Sequence, residues 1–151
     1  MTMREILFRG KRTDNGEWVY GYVGVFKGIT QIFVPFTEEE EKENEGHIFS
    51  CIGGLWYTVN PETVGQFTGL TDKNGNKIFE GDIVKREYTL WHGETKKTRE
   101  TQIGVVAYSN KECGFWLEKV CNLRRPWDGD TSEVIGNIHD NPELLEVTDN
   151  A

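Results

Sequence analysis

The chain has 151 residues, with 25 acids against 17 Lys or Arg, for a net charge of −8. That length holds one domain or two small β modules sharing a core, and no run approaches the roughly 18 apolar residues of a membrane span. Five Trp, five Tyr and eight Phe supply large buried area, while 17 Gly against four Pro point to short strands and many turns.

The charge is unevenly placed. Residues 38–45, EEEEKENE, carry −5, and residues 128–151 carry −7, which leaves the rest of the chain at +4. An average acidity is therefore no argument against a nucleic-acid partner. The charged start, MTMREILFRGKR, lacks the apolar stretch of a secretory signal. Cys51, Cys113 and Cys121 are odd in number and lack C-x-x-C spacing, so they read as small buried hydrophobes in a reducing cytoplasm, with no zinc site.

In chain order, Ile6 and Phe8 open a first strand, and Asp14-Asn15-Gly16 is a hairpin turn. Residues 17–26 alternate with period two: Trp18, Tyr20 and Tyr22 fall on one face, Val19, Val23 and Val25 on the other. Lys27-Gly28 turns the chain into a third strand, Ile29 to Val34, closed by Pro35. Thr37-x-x-Glu40 is a capping-box pattern, but the Glu run behind it has no apolar face, so an exposed loop or frayed helix is expected. Strand character returns between His47 and Val59, with Gly53-Gly54 as a turn, and Pro61-Glu62-Thr63 bends the chain at a soft module boundary.

Gln66 to Val84, QFTGLTDKNGNKIFEGDIV, is the most strongly specified stretch. Gly69, Gly75 and Gly81 recur every six residues, between Asp72, Asn74 and Asp82. It resembles the start of a calcium loop but fails as an EF-hand: Gly falls at the fourth position, no Glu sits twelfth, and Lys73 and Lys77 repel a cation. A type I′ or similar Asn-Gly turn, with Asp72 and Asp82 bonding nearby backbone N–H groups, is the better reading. A strand then runs through Tyr88 and Leu90, His92 to Glu100 is expected as a long hairpin loop, and Gln102 to Tyr108 and Phe115 to Glu118 are further strands. Val134 to Ile138 is a last short strand, with Gly136 and Asn137 as turn residues, followed by a helical turn with Asn141 at its N-cap and Pro142 at N1. The expected fold is mostly β: an N-terminal β-meander module, residues 1–63, packed on a C-terminal SH3-like β-barrel, residues 64–147, with short helical turns and a frayed tail, 148–151.

No catalytic constellation is legible. His47, His92 and His139 are scattered, there is no phosphate-binding loop, and no metal or cofactor is expected. Two basic clusters stand out. Lys96, Lys97 and Arg99 are diluted by Glu87, Glu94 and Glu100, whereas Lys119, Arg124 and Arg125 beside Trp127 form a cleaner candidate for tracking phosphates and stacking a base.

Arg4-Glu-Ile-Leu-Phe-Arg, Trp18-Val-Tyr-Gly-Tyr, the Gln66–Val84 stretch and Glu133-Val-Ile-Gly-Asn-Ile-His-Asp-Asn-Pro-Glu-Leu-Leu together resemble the YopX family of bacteriophage and prophage proteins, in order over residues 4 to 145. The resemblance implies a mostly β protein with an SH3-like second half, a phage or prophage origin and the bacterial cytoplasm. It implies no known activity and carries over no functional residues. The leading expectation is a non-enzymatic interaction module that self-associates or binds a phage or host protein. Nucleic-acid binding through Lys119, Arg124, Arg125 and Trp127 is the alternative, and a small hydrolase using Asp82, His139 or Asp140 the third.

Overall fold

A computed structural model describes residues 3–46, 53–118 and 131–146. The fold is mostly β, with antiparallel pairing throughout the described strands. By its contacts the chain divides into two units, Met1–Gln66 and Phe67–Ala151.

The first unit is a meander. Strand β1 (Phe8–Lys11) pairs with β2 (Trp18–Phe26), β2 with β3 (Ile29–Pro35), and β3 with β4 (Gly54–Thr58). On the other side of β1, Gly65 and Gln66, the first residues of β5 (Gly65–Thr71), pair with Arg9 and Phe8. The β2–β3 turn is the tightest: Lys27 (φ 49°) and Gly28 (φ 78°) are both left-handed, as a two-residue type I′ hairpin requires, and Phe26 faces Ile29 directly. Helix α1 (Glu38–Glu43) follows β3. Thr37 Oγ1 accepts from Glu40 N–H while Glu40 Oε2 accepts from Thr37 N–H, so the capping box forms although none of the helix is buried.

Directly paired strand residues share a face, which sorts this sheet into two sides. One side is the core, centred on Ile32 and Val59, which are fully buried. Asn60 caps a 3-10 turn at Pro61–Thr63, whose Thr63 Oγ1 accepts from Lys11 N–H and donates to Asn60 C=O.

In the second unit the rest of β5 forms a hairpin with β6 (Lys77–Phe79), in which Phe67 and Phe79 meet at 5.6 Å between ring centroids. A four-stranded sheet follows, in the order β10–β7–β8–β9: β7 (Asp82–His92), β8 (Lys96–Ser109), β9 (Gly114–Glu118) and β10 (Ser132–Asn137). A short helix, α2 (Glu143–Glu146), comes after β10. Val84, Val106 and Ile78 make the core of this unit, with Leu70, Leu117 and Val134 packed on it.

Two expectations are corrected here. His92–Glu100 is no long loop. Strand β8 begins at Lys96 and pairs back as far as His92, so only residues 93–95 turn, with Gly93 at φ 73°. Polar side chains do not end a ribbon whose edges face water, and the Thr residues at 98 and 101 favour extension. Cys113, read as a buried hydrophobe, is exposed in the β8–β9 turn at φ 52°. Cys51 and Cys121 lie outside the described residues.

Candidate interaction surface

The Gln66–Val84 stretch is a structural hub rather than a binding loop. Asp72 is buried and accepts four hydrogen bonds. Its Oδ1 takes the N–H groups of Asn74 and Asn76, both at 2.9 Å, and its Oδ2 takes Val134 N–H at 3.0 Å and Asn76 Nδ2 at 3.3 Å. The Val134 bond ties this turn to β10, 62 residues away in sequence. Burial pushes the Asp72 carboxyl up, but the N–H groups of Val134, Asn76 and Asn74, with the Asn76 amide, outweigh it and hold the group below its usual range. Gly75 is left-handed (φ 83°) and Asn74 is not, so this is a type I turn closing on a left-handed glycine, not a type I′ turn. Lys73 Nζ pairs with Glu133 at 3.1 Å, and Asp82 Oδ2 accepts Phe79 N–H at 2.8 Å across Gly81 (φ 84°). Gly69 (φ 88°) sits where the β5–β6 register shifts.

The last turn is built the same way. Asn137 Oδ1 accepts the N–H groups of His139 and Asp140, and its amide donates to Asp140 Oδ2 at 3.1 Å. Gly136 leaves room for Asn141, whose Oδ1 accepts Asn137 N–H. Asp82 pairs with Asn137 in the ladder, and Ile138 N–H donates to Gly81 C=O, so the strands bring Asp82 beside the His139–Asp140 turn. Asp82 is buried there on a backbone N–H, and Asp140 faces Asn137.

An open cleft of about 310 Å³ lies on the second unit, lined by Lys73, Lys85, Glu87, Tyr88, Arg99 and Glu133 among others. Its charges largely answer one another: Lys73 pairs with Glu133, and Arg99 lies 3.9 Å from Glu87.

The outstanding surface is on the first unit. Register places Arg9 and Lys11 of β1, Trp18, Tyr20, Tyr22, Gly24 and Phe26 of β2, Ile29, Gln31 and Phe33 of β3, and Trp56 and Thr58 of β4 on the side opposite the core, where Arg9 is nevertheless buried. Of these, Tyr20 is 45% exposed, Tyr22 53%, Phe26 71%, Ile29 52% and Trp56 50%. Trp56 lies against Phe33 (5.1 Å, tilted) and reaches over β3 to Gly24, where a Cβ would stand 3.1 Å from the indole. The Arg9 guanidinium sits 4.7 Å and the Lys11 ammonium 5.7 Å from the Trp18 ring centre, and Lys27 lies 5.5 Å from that of Phe26.

Strand alternation alone puts Trp18, Tyr20 and Tyr22 on one face and leaves out Phe33 and Trp56. The signal was present: a two-residue Lys27-Gly28 turn pairs 26 with 29 and therefore 22 with 33. The expected patch of Lys119, Arg124, Arg125 and Trp127 lies outside the described residues.

The YopX protein family model matches residues 7–146. The chain belongs to the YopX family. A crystal structure of protein EF1440 from Enterococcus faecalis aligns with this YopX-family chain over 95% of its residues and 99% of the other chain, at 22% identity and a TM-score of 0.48. No curated protein matches it. Among the described residues, no helix is long and apolar enough to cross a membrane, and no three His, Cys, Asp or Glu side chains group as metal ligands.

Proposed function

We propose that this YopX-family chain is a non-enzymatic accessory protein of a phage or prophage, acting in the bacterial cytoplasm as an interaction module, with the aromatic face of its first sheet as the contact surface. The observation that carries this reading is the half or greater exposure of Tyr22, Phe26, Ile29 and Trp56 together on one side of three strands. Burying a large apolar side chain is worth about 1.5–3 kcal/mol, so a contiguous face of this kind marks a place where a partner completes the burial. We attach to it an N-terminal β module in residues 1–63 and an SH3-like module in residues 64–147. Support for the latter is the β7–β8–β9 meander with β10 returning beside β7.

Supporting a binding role over a hydrolase is the use made of the carboxylates. Asp72, Asp82 and Asp140 each accept hydrogen bonds within a turn. The sequence-level expectation of self-association puts a second copy on the aromatic face. Light scattering over a concentration series, with recovery of bound protein or nucleic acid from phage-infected lysate, tests the module. The parent is expected to self-associate or retain a partner, and Tyr22→Ser with Trp56→Ser to lose it while melting within a few degrees of the parent. A parent that stays monomeric and retains nothing overturns the reading.

A further inference from the structure

The dipeptide Asn-Gly occurs twice in the chain, at Asn15-Gly16 in the β1–β2 turn and at Asn74-Gly75 in the β5–β6 turn. Such a pair carries a reaction of its own. Glycine has no Cβ to shield its backbone nitrogen, so that nitrogen can reach the amide carbon of the preceding asparagine. We propose that Asn15 is a site of spontaneous deamidation in the folded protein, and that Asn74, in the same dipeptide, is protected by its turn. The proposal is independent of the aromatic face.

The step balances with water as the sole co-reactant. Gly16 N gives its proton to water and bonds to Asn15 Cγ. The Cγ–Nδ2 bond breaks, and the amide nitrogen takes a proton from water and leaves as ammonia. A five-membered succinimide remains in the main chain. Water then opens that ring at one of its two carbonyls, which leaves either aspartate or isoaspartate. Nothing is oxidised or reduced.

The first ground is how the Asn15 amide is held. Glu17 N–H donates to Asn15 Oδ1 at 3.0 Å, and Asn15 Nδ2 donates to Glu17 Oε2 at 2.9 Å. Both bonds reach forward across Gly16, so they hold the amide over the peptide whose nitrogen attacks it. The Glu17 N–H also stands at the oxygen that gains negative charge as Cγ becomes tetrahedral. Asn15, Gly16 and Glu17 are all exposed, so water reaches the site. Gly16 N–H donates to Arg12 C=O at 3.0 Å, a bond within an exposed loop that opens at little cost.

The second ground is the contrast with Asn74, which is exposed as well. Gly75 N–H donates to Asp72 C=O at 2.9 Å, and Asn74 N–H donates to Asp72 Oδ1. Asp72 is itself buried and bonded to Asn76 and to Val134 of β10. Turning Gly75 N toward the Asn74 amide therefore means opening a turn anchored to another strand. Exposure is equal at the two sites, and anchoring separates them. The product at position 15 also has a structural consequence. Its new carboxylate stands between Asp14 and Glu17 and removes the donor that Glu17 Oε2 holds. The isoaspartate form further lengthens the main chain inside the loop closed by Arg12 N–H on Glu17 C=O. The first hairpin is thus expected to loosen as the molecule ages.

The test is peptide mapping by mass spectrometry of the full chain, aged in neutral buffer both folded and in denaturant. Unfolded, the two sites are expected to convert at comparable rates, because each is followed by glycine. Folded, Asn15 is expected to stay within about tenfold of its unfolded rate and Asn74 to fall more than about tenfold below its own. Isoaspartate is expected alongside aspartate at position 15. Asn15→Gln, whose longer side chain would have to close a six-membered ring, is expected to lose the conversion. Asp72→Ala is expected to release Asn74 toward its unfolded rate, and the comparison within the parent chain decides whether or not that variant folds. An Asn15 that stays intact in the folded chain while it converts in denaturant overturns the proposal. So does a folded chain in which Asn74 converts as fast as Asn15, or aspartate at position 15 without isoaspartate.

Discussion

Asp72 shows how one carboxylate can organise a fold. It satisfies three backbone N–H groups, two within its own turn and one on β10, and each would otherwise be left without a strong acceptor. Asp72→Ala is therefore expected to destabilise the chain by about 2–4 kcal/mol in chemical denaturation. A midpoint equal to that of the parent would show the turn to be self-supporting. The same bonds set a pH dependence. The folded carboxyl titrates below its unfolded value, so its contribution is fully present above the ordinary Asp range near pH 4 and is lost as pH falls through the lower folded value. Asp72→Asn should flatten the acid limb of a stability–pH curve, and an acid limb as steep as the parent's would assign that dependence to other groups. The residue type at 72 was legible from the Asp-x-Asn-Gly pattern. The bond to Val134 was not, because nothing local in sequence brings position 134 to position 72.

At the scale of elements, turn chemistry and close backbone approach set the register. Gly75 and Gly81 both stand at positive φ, where a β-branched residue is strained, so Gly75→Val and Gly81→Val are each expected to cost about 1–3 kcal/mol and lower the melting temperature. Unchanged melting in both would mean that these turns relax without penalty. Gly21 has a different reason. A Cβ there would stand 1.9 Å from Phe33 C=O, so Gly21→Ala must part β2 from β3, at about 3 kcal/mol. Glycine at 75 could be read as a turn from its neighbours, but Gly21 looked like any strand glycine, because its constraint comes from the next strand. The β7–β8 ribbon was misread for a related reason. Its polar run carries no burial pattern, and its pairing is visible only once both strands are in place.

At the scale of the whole molecule, the division at Gln66/Phe67 leaves each unit with its own buried cluster, Ile32 with Val59 in one and Ile78, Val84 and Val106 in the other. Native-state amide exchange is expected to resolve two blocks with different opening free energies, and Gly21→Ala to lower protection in residues 3–66 alone. Uniform loss of protection across residues 67–146 in that variant would show one cooperative unit instead. The aromatic face belongs to the first block, so a partner bound on it should raise protection there first.

The sequence by itself determined the family, the strand-rich class, the hairpin turns and the placing of acids in loops. These depend on neighbours a few residues apart: alternation, Gly and Asn in tight turns, a capping Thr with its Glu. Only the tertiary structure decided which faces coincide. A strand's own alternation says that Trp18, Tyr20 and Tyr22 lie together, but not that Phe33 and Trp56 join them or that Arg9 and Lys11 flank them. That requires the registers of three strand pairs at once, and a slip of one residue in any of them would turn a strand's side chains to the opposite side.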